Sequence, residues 1–178
     1  PRGGRAAECS HCPYHRESAQ FFASGSGHPG GDRSQQDHRD GLVLSSQKIE
    51  LSVSLDPDLP KVLADPTDLE QVVINLVSNA VDAMPQGGRL EVDTIAAGSA
   101  GHEVIFTVTD SGTGIAEEHM GRIFDPFFTT KEVGKGTGLG LSVSFGVIEK
   151  LGGHIAVESD TEVGTSFTIR LPANEDRP

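Results

Sequence analysis

The chain has 178 residues, which is enough for one domain with a substantial core and an additional tail. Its 14 Lys and Arg against 26 Asp and Glu give a formal net charge of -12, which argues against a nucleic-acid-binding surface. No apolar run is long enough to cross a bilayer and no secretion signal opens the chain, so we expect a cytoplasmic protein without membrane contact of its own.

The first part of the chain has the composition of a tail. Residues 1–40 contain no Val, Leu, Ile or Met, and such a segment buries too little apolar surface to offset the entropy of ordering. We therefore predict a low-complexity, disordered tail or linker over 1–41. Cys9, His11, Cys12 and His15 raise the alternative of a zinc site, but zinc sites usually join two ligand pairs across a longer loop.

From residue 42 the apolar residues recur with the periods of strands and helices. Thr67 and Glu70 fit a capping box at the start of the first helix. In chain order we predict a strand at 48–56, a helix at 65–84, strands at 89–97 and 102–110, a short helix at 117–124, a helix at 138–153, and strands at 154–160 and 165–172. This order predicts an α+β fold, with helices on one face of a mixed, mostly antiparallel sheet.

The helix at 65–84 carries an unusual polar stripe. Gln71, Asn75, Asn79 and Asp82 are spaced by four, four and three residues and so share one face. A solvated face is the simpler interpretation, but Glu, Lys or Gln would make a better helix than Asn does. An amide oxygen is also a hard ligand of the kind that Mg²⁺ prefers.

A strand that ends in an acid and a glycine turn follows at "VTDSGTGIAEEH". Asp110 has no basic neighbour in sequence, and Gly112 and Gly114 allow a ligand to come close to the backbone. A carboxylate here can accept a hydrogen bond from an exocyclic amine. The D-x-G-x-G spacing is weak by itself, because turns of this composition are common.

The stretch "GKGTGLGLS" places Gly134, Gly136, Gly138 and Gly140 directly before a helix. Backbone N–H groups at such a glycine-rich helix start can converge on phosphate. The spacing fits neither the P-loop nor the dinucleotide-binding motif, so the segment is another kind of phosphate cradle or a hinge.

Between these two glycine motifs lies "FDPFFTTK". Phe124, Phe127 and Phe128 are expected to anchor this loop to the core. The same loop can act as a lid, in which Thr130 and Lys131 reach a phosphate when it closes. The two interpretations are compatible.

Taken together, these motifs resemble those of the ATP-binding catalytic domain of bacterial sensor histidine kinases, in the superfamily shared with gyrase, Hsp90 and MutL. The resemblance covers roughly residues 48–172 and looks most like the nitrogen-regulation type. It implies the two-layer α/β sandwich of the Bergerat-type ATP-binding fold for a domain at 42–174, with 175–178 as a tail. The matching stretches are "LEQVVINLVSNAVDAM" (N box), "DSGTGI" (G1 box), "FDPFFTTK" (F box), "GKGTGLGLS" (G2 box) and "GTSFTI" (last glycine box).

The resemblance implies ATP and Mg²⁺ as ligands. Asn79 would ligate Mg²⁺, Asp110 would accept from the adenine amino group, and Lys131 would contact the terminal phosphate. At Gly112 and Gly114 the backbone would approach the base. The full implied nucleotide-binding set is Asn79, Asp82, Ala83, Asp110, Gly112, Gly114, Ile115, Thr130, Lys131, Gly136, Thr137, Gly138, Leu139, Gly140, Leu141 and Thr165.

Asn75 and Lys131 are the implied catalytic residues. Hydrolases of the superfamily carry a Glu at the position of Asn75 to activate water, and an amide cannot take a proton at neutral pH. The resemblance therefore implies phosphoryl transfer to a histidine rather than hydrolysis.

No dimerising helical hairpin with a phosphoacceptor histidine is recognisable in the chain. The acceptor is then expected in trans or in a longer parent chain, with a response regulator as an indirect partner and this chain as a monomer. Two alternatives stay open: a nucleotide-binding regulatory module without kinase activity, and a less favoured ATP hydrolase of the gyrase or Hsp90 type.

Overall fold

A computed structural model describes residues 42–44, 48–98, 102–132 and 136–174. The predicted tails at 1–41 and 175–178, the zinc alternative and Gly134 lie outside these residues. No helix in the described part has the length and apolar character that a membrane crossing requires. The elements in chain order are β1 (Leu42–Leu44), β2 (Ile49–Leu55), α1 (Pro66–Ala83), β3 (Gly88–Ala97), β4 (Glu103–Asp110), α2 (Glu117–Met120), α3 (Gly140–Lys150), β5 (His154–Asp160) and β6 (Gly164–Pro172).

The strands of the described segments form a six-stranded sheet with the order β1-β2-β3-β4-β6-β5. The pair β2–β3 is parallel and every other neighbouring pair is antiparallel. Helix α1 supplies the crossover that a parallel pair requires. The α+β class and the mixed, mostly antiparallel sheet are thus confirmed. Strand β1 was not predicted, because three residues are too few to show a period.

Helix α1 starts with a different cap from the one predicted. The backbone of Asp65 is extended, and its carboxylate accepts a hydrogen bond from the Thr67 N–H at 2.8 Å. Pro66 occupies the first turn, where its missing N–H has no consequence. The predicted capping box of Thr67 and Glu70 is wrong, because Asp65 holds the cap position and Thr67 already lies within the first turn.

The other two helices are shorter than predicted. Helix α2 ends at Met120, and turns continue the chain to Phe124 where the prediction extended the helix. Helix α3 cannot include Gly138 or Gly152, whose φ angles of +66° and +71° lie in the left-handed region. Left-handed glycines therefore stand beyond both ends of α3.

The core lies between the helices and one face of the sheet. Helix α1 packs over β4, α3 packs over β5, and the two helices pack against each other. The buried stripe of α1 consists of Leu69, Val72, Leu76 and Ala80. Facing it, Val104, Phe106 and Val108 of β4 pair with Leu171, Ile169 and Phe167 of β6. The two-layer arrangement with helices on one face agrees with the prediction.

The buried face of the sheet becomes polar at one end. Asp110 is the last residue of the β4 stripe and pairs with Thr165, which in turn pairs with Ser159 of β5. Asp110 and Thr165 are each 5% exposed. Burial of such groups is unfavourable unless they are hydrogen-bonded, so this end of the core is the first place to look for a ligand.

The cap of α1 gives a stability prediction. We expect Asp65→Ala to lower the free energy of unfolding by about 1 kcal/mol, because the Thr67 N–H loses its acceptor. Thr67→Ala should change it by no more than a few tenths of a kcal/mol, since the Thr67 side chain does not hold the cap. Urea denaturation of the two variants decides the matter, and a larger loss for Thr67→Ala would favour the capping box instead.

Candidate functional site

Asp110 lies buried in a polar cluster with Thr165 and Ser159 at the end of β4. Its Oδ1 accepts a hydrogen bond from the Gly112 N–H at 2.8 Å. Burial raises the pKa of this carboxyl, while hydrogen bonds from the backbone N–H groups of Gly112 and Thr165 lower it and offset part of that effect. The backbone thus holds a desolvated acceptor in one orientation.

A hydroxyl pair lies beside Asp110. Ser159 Oγ and Thr165 Oγ1 are 2.9 Å apart, and Ser159 Oγ also accepts from the Ile115 N–H at 2.8 Å. The Ser159 hydroxyl is also within hydrogen-bonding distance of the Gly164 carbonyl, at 3.1 Å. Thr165 and Ile115 were predicted as nucleotide-binding residues from the sequence, whereas Ser159 was not. Only the β5–β6 register reveals that this serine belongs to the same cluster.

The glycines around Asp110 let pieces of backbone meet. A Cβ on Gly114 would lie 2.2 Å from the Asp160 carbonyl oxygen, and one on Gly164 would lie 2.0 Å from that of Asp110. A Cβ on Gly112 would lie 2.7 Å from Ala83. These close approaches bring β4, the β5–β6 turn and the end of α1 together. The predicted approach of the Gly112 and Gly114 backbone to a base remains a prediction.

A second part of the site lies between α1, α3 and the loop that precedes α3. There a cavity of about 300 Å³ opens beside the polar stripe of α1. The Thr113 N–H donates to the Ala83 carbonyl at 3.1 Å, so the last turn of α1, which lines this cavity at Asp82, is bonded to the turn that follows Asp110. The cavity is lined by Asn75, Ser78, Asn79, Asp82, Ile123, Phe128, Thr129, Lys131, Gly136, Thr137, Gly138, Gly140 and Leu141.

The cavity brings together eight of the sixteen residues predicted to bind nucleotide, and we call this part of the site the phosphate end. They are Asn79, Asp82, Lys131, Gly136, Thr137, Gly138, Gly140 and Leu141. Of the predicted residues in the loop and at the start of α3, Thr130 and Leu139 do not line the cavity. Its threonine is Thr129 instead, whose Oγ1 accepts from the Lys131 N–H at 3.2 Å. The role predicted for Thr130, contact with a phosphate when the loop closes, remains a prediction. Thr129 was not predicted, because a loop has no period that tells which side chain points inward.

Lys131 crosses from the loop to α1. Its Nζ donates to Asn79 Oδ1 at 3.0 Å and to Asp82 Oδ2 at 2.7 Å. A Cβ on Gly136 would lie 3.2 Å from Lys131 Cδ, so the bare backbone at Gly136 makes room for the lysine stem. Asn79, Asp82 and Lys131, three predicted residues from two distant segments, therefore meet at one point.

Asn75 is held in a different way. Its Oδ1 accepts from Gln71 Nε2 at 3.0 Å, and its Nδ2 donates to the Gly140 carbonyl at 3.0 Å and to Ser144 Oγ at 3.2 Å. Ser144 is fully buried at 0% exposure. The amide thus ties the first turn of α3 to α1. Its predicted catalytic role remains a prediction, but the structure shows a positional role that the sequence did not reveal.

The expected anchoring of the loop by three phenylalanines is partly wrong. Phe124 and Phe128 pack against the core, but Phe127 is 75% exposed. The Phe127 N–H donates to the Gly138 carbonyl at 2.9 Å, and a Cβ on Gly138 would lie 2.4 Å from the Phe127 carbonyl carbon. Phe127 itself has a φ of +66°, an unusual value for a bulky residue. This backbone contact turns the phenyl ring outward.

Two side-chain oxygens that line the cavity have the chemistry of Mg²⁺ ligands. The oxygens of Asn79 and Asp82 are hard ligands, and both already accept from a cationic group, the Lys131 ammonium. Among the described residues no group of three or more His, Cys, Asp or Glu could hold a metal ion. Mg²⁺ usually takes only one or two ligands from the protein and fills its remaining coordination positions with water and phosphate oxygens. The two oxygens of Asn79 and Asp82 fit this pattern.

Comparison with known proteins identifies the family. Residues 64–175 match the family described as "Histidine kinase-, DNA gyrase B-, and HSP90-like ATPase". Sensor kinase CckA of Brucella abortus is 46% identical over 72% of this chain, and the chain spans 15% of that kinase. The chain therefore corresponds to one part of a much longer relative.

Solved structures agree with this assignment. The catalytic domain of histidine kinase ThkA superposes with a TM-score of 0.61 at 37% identity, covering 71% of this chain and 81% of that one. Full-length ShkA in complex with AMPPNP gives 0.60 at 30% identity, covering 70% of this chain and 26% of that one.

The chain belongs to the histidine kinase-, DNA gyrase B- and HSP90-like ATPase family and corresponds to the catalytic domain of sensor histidine kinases. The family resemblance and the fold expected from it are confirmed. The narrower likeness to the nitrogen-regulation type remains a prediction.

The position of α3 gives a second stability prediction. We expect Asn75→Asp to lower the free energy of unfolding by about 1–3 kcal/mol, because a carboxylate oxygen would then face the Gly140 carbonyl where an N–H donor is required. The matched control is Asn79→Asp on the same stripe, where the Lys131 ammonium accommodates a carboxylate. Equal losses in urea denaturation would contradict the positional role of Asn75.

Proposed function

We propose that this chain binds Mg–ATP and transfers the γ-phosphoryl group to a histidine on another domain. The observation that carries this proposal is the pairing of a buried acceptor, Asp110, with a cavity that combines hard oxygens, an ammonium and a glycine-rich helix start. The last turn of α1 joins these two parts. The complex of full-length ShkA with the ATP analogue AMPPNP supports the same use of the site.

Asp110 recognises the adenine. Its carboxylate accepts from the exocyclic amine, and the hydroxyl of Thr165 provides a second polar contact at the base. A guanine presents a carbonyl oxygen in place of that amine, and two acceptors facing each other repel. Because Asp110 is 5% exposed, water cannot easily compensate such a mismatch, so this carboxylate selects adenine.

The phosphates lie at the start of α3. Gly138, with a φ of +66°, turns the chain into the 11-residue helix, and the backbone N–H groups of its first turn are free of intrahelical partners. Asn79 and Asp82 provide the oxygens for Mg²⁺, which when bound neutralises phosphate charge. Thr137, Gly136 and Lys131 also line the cavity and complete the surroundings of the phosphates.

The site favours transfer over hydrolysis. A hydrolase needs a base to activate water, and Asn75 has an amide that is already hydrogen-bonded to Gln71, Gly140 and Ser144. A histidine imidazole needs no such base. Its nitrogen attacks the γ-phosphorus, the bond from that phosphorus to the ADP oxygen breaks, and the imidazole proton passes to solvent. The domain contributes positioning and charge neutralisation.

The acceptor histidine belongs to a separate domain, in trans or in a longer parent chain, and a response regulator follows it. The length of CckA relative to this chain supports a longer parent. Phe127, Leu139 and Val143 are 75%, 37% and 45% exposed around the phosphate end, so apolar surface is available to a docking partner. We place the isolated domain in the cytoplasm, because ATP is a cytoplasmic substrate. We expect it to be a monomer, because no dimerising hairpin is recognisable in the sequence.

The adenine assignment predicts the effect of one substitution. We expect Asp110→Asn to weaken ATP binding at least about 100-fold, because the asparagine either turns its own amine toward the adenine amine or loses the Gly112 contact. Isothermal titration calorimetry with ATP and GTP measures this change. The matched control is Glu103→Gln at the other end of the same strand, which removes the same charge from a half-exposed carboxylate 3.7 Å from Arg170. Unchanged ATP affinity in Asp110→Asn would overturn the assignment.

Phosphoryl transfer has its own test. The chain is mixed with Mg–[γ-³²P]ATP and the phosphoacceptor hairpin of a sensor kinase relative, with a His→Ala hairpin as the control. We expect acid-labile, base-stable label on the hairpin histidine and little free phosphate. Free phosphate without transfer would favour the hydrolase, and tight ATP binding with neither product across several hairpins would favour the regulatory module.

A further inference from the structure

The ammonium of Lys131 occupies the place that the proposed function assigns to the metal. It donates to Asn79 Oδ1 and Asp82 Oδ2 at 3.0 and 2.7 Å. We propose that Lys131 is the resident cation of the nucleotide-free site: Mg²⁺ entering with the nucleotide displaces it from Asp82, and the released ammonium then contacts the terminal phosphate of ATP. This inference rests on the proposed function.

The geometry leaves room for one cation at these oxygens. Mg²⁺ binds oxygen at about 2.0–2.1 Å and requires near-octahedral geometry. An ammonium already within hydrogen-bonding distance of both oxygens would lie on the approach path of the ion and repel it. The two cations therefore bind Asn79 and Asp82 in turn, which couples release of the lysine to arrival of the metal.

The charges of the cavity also support an exchange of Lys131 for Mg²⁺ at Asp82. Asp82 and Lys131 are the only charged side chains among the described lining residues, so they cancel each other. Without Lys131, a bare carboxylate would face the phosphates. Lys131 thus serves metal-free nucleotide binding by neutralising Asp82, and Mg²⁺ makes that role unnecessary when it takes over the same carboxylate.

Lys131 is well placed to change partners. Its backbone N–H is bound to Thr129 Oγ1 at 3.2 Å, and its stem lies against the backbone of Gly136. Its long stem permits the ammonium to move between acceptors while the backbone stays in place. When the ammonium leaves Asn79 and Asp82, the loop before α3 loses two hydrogen bonds to α1. The loop is therefore less firmly attached to α1 when nucleotide and metal are both bound.

The direct test observes the Lys131 ammonium by NMR. In the full chain, the Nζ and Cε signals of Lys131 are assigned with Lys131→Met and recorded without nucleotide, with ADP in EDTA, and with Mg–ADP. ADP is chosen because it lacks the terminal phosphate. We expect nearly the same signals in the first two states and a shift in the third, toward the position seen in nucleotide-free Asp82→Asn. Identical signals in both ADP states would overturn the proposal.

A matched pair controls for general effects of charge. Lys150 Nζ lies 3.4 Å from Asp68 Oδ2, joining α3 to α1 outside the residues that line the cavity. Asp82→Asn should shift the Lys131 signal in the nucleotide-free chain and leave Lys150 unchanged, and Asp68→Asn should do the reverse. An unchanged Lys131 signal in Asp82→Asn would overturn the contact itself. This arm needs no nucleotide, so it stays informative even if ATP binding fails.

Affinity measurements provide the second readout. We expect Lys131→Met to weaken ADP binding about tenfold in EDTA and to have little effect with Mg²⁺, because the ion then neutralises Asp82. Lys150→Met is the control in both conditions. An equal loss with and without Mg²⁺ would mean that Lys131 contacts ADP directly, and the displacement proposal would be wrong. Absence of any ADP or ATP binding by the unaltered chain would instead remove the proposed function.

Discussion

The hydrogen bonds of one amide, that of Asn75, fix the distance on which the whole phosphate end depends. At this position one side chain must accept from Gln71 Nε2 and also donate to the Gly140 carbonyl and Ser144 Oγ. Neither a carboxylate nor an aliphatic side chain can do both. Its donors hold the first turn of α3 against α1. Any ligand that lies at the start of α3 and also contacts Asn79 or Asp82 depends on that spacing.

Helix α1 links the core to the site because its two faces have different partners. Leu76 and Ala80 are buried in the core, while Asn75, Asn79 and Asp82 line the cavity. Packing of the apolar stripe fixes the rotation of the helix, and that rotation aims the polar stripe. The weak helix propensity of the two asparagines is therefore offset by tertiary hydrogen bonds, which resolves the apparent conflict between propensity and position.

The sequence revealed most of the fold and a good part of the site, and its failures have physical causes. Long periodic segments such as α1 and β4 were recognised because burial imposes a period. Thr129 was not predicted, and Phe127 was wrongly expected to anchor the loop to the core, because loop orientation is set by contacts such as that of Gly138. Ser159 and Ser144 were missed because their partners lie on other elements.

The proposed binding of ATP, a polyanion, by an acidic chain depends on how charge is balanced in the cavity. A net charge of -12 repels nucleotide at long range, and the described cavity has no surplus of cationic side chains to offset this repulsion. Under the proposed function, attraction comes from backbone N–H groups at α3 and from a cation that arrives with the ligand. A lysine that neutralises Asp82 until then keeps an uncompensated carboxylate from facing the phosphates. The proposal thereby ties affinity to the metal-bound form of the nucleotide, because only this form brings a neutralising charge with it.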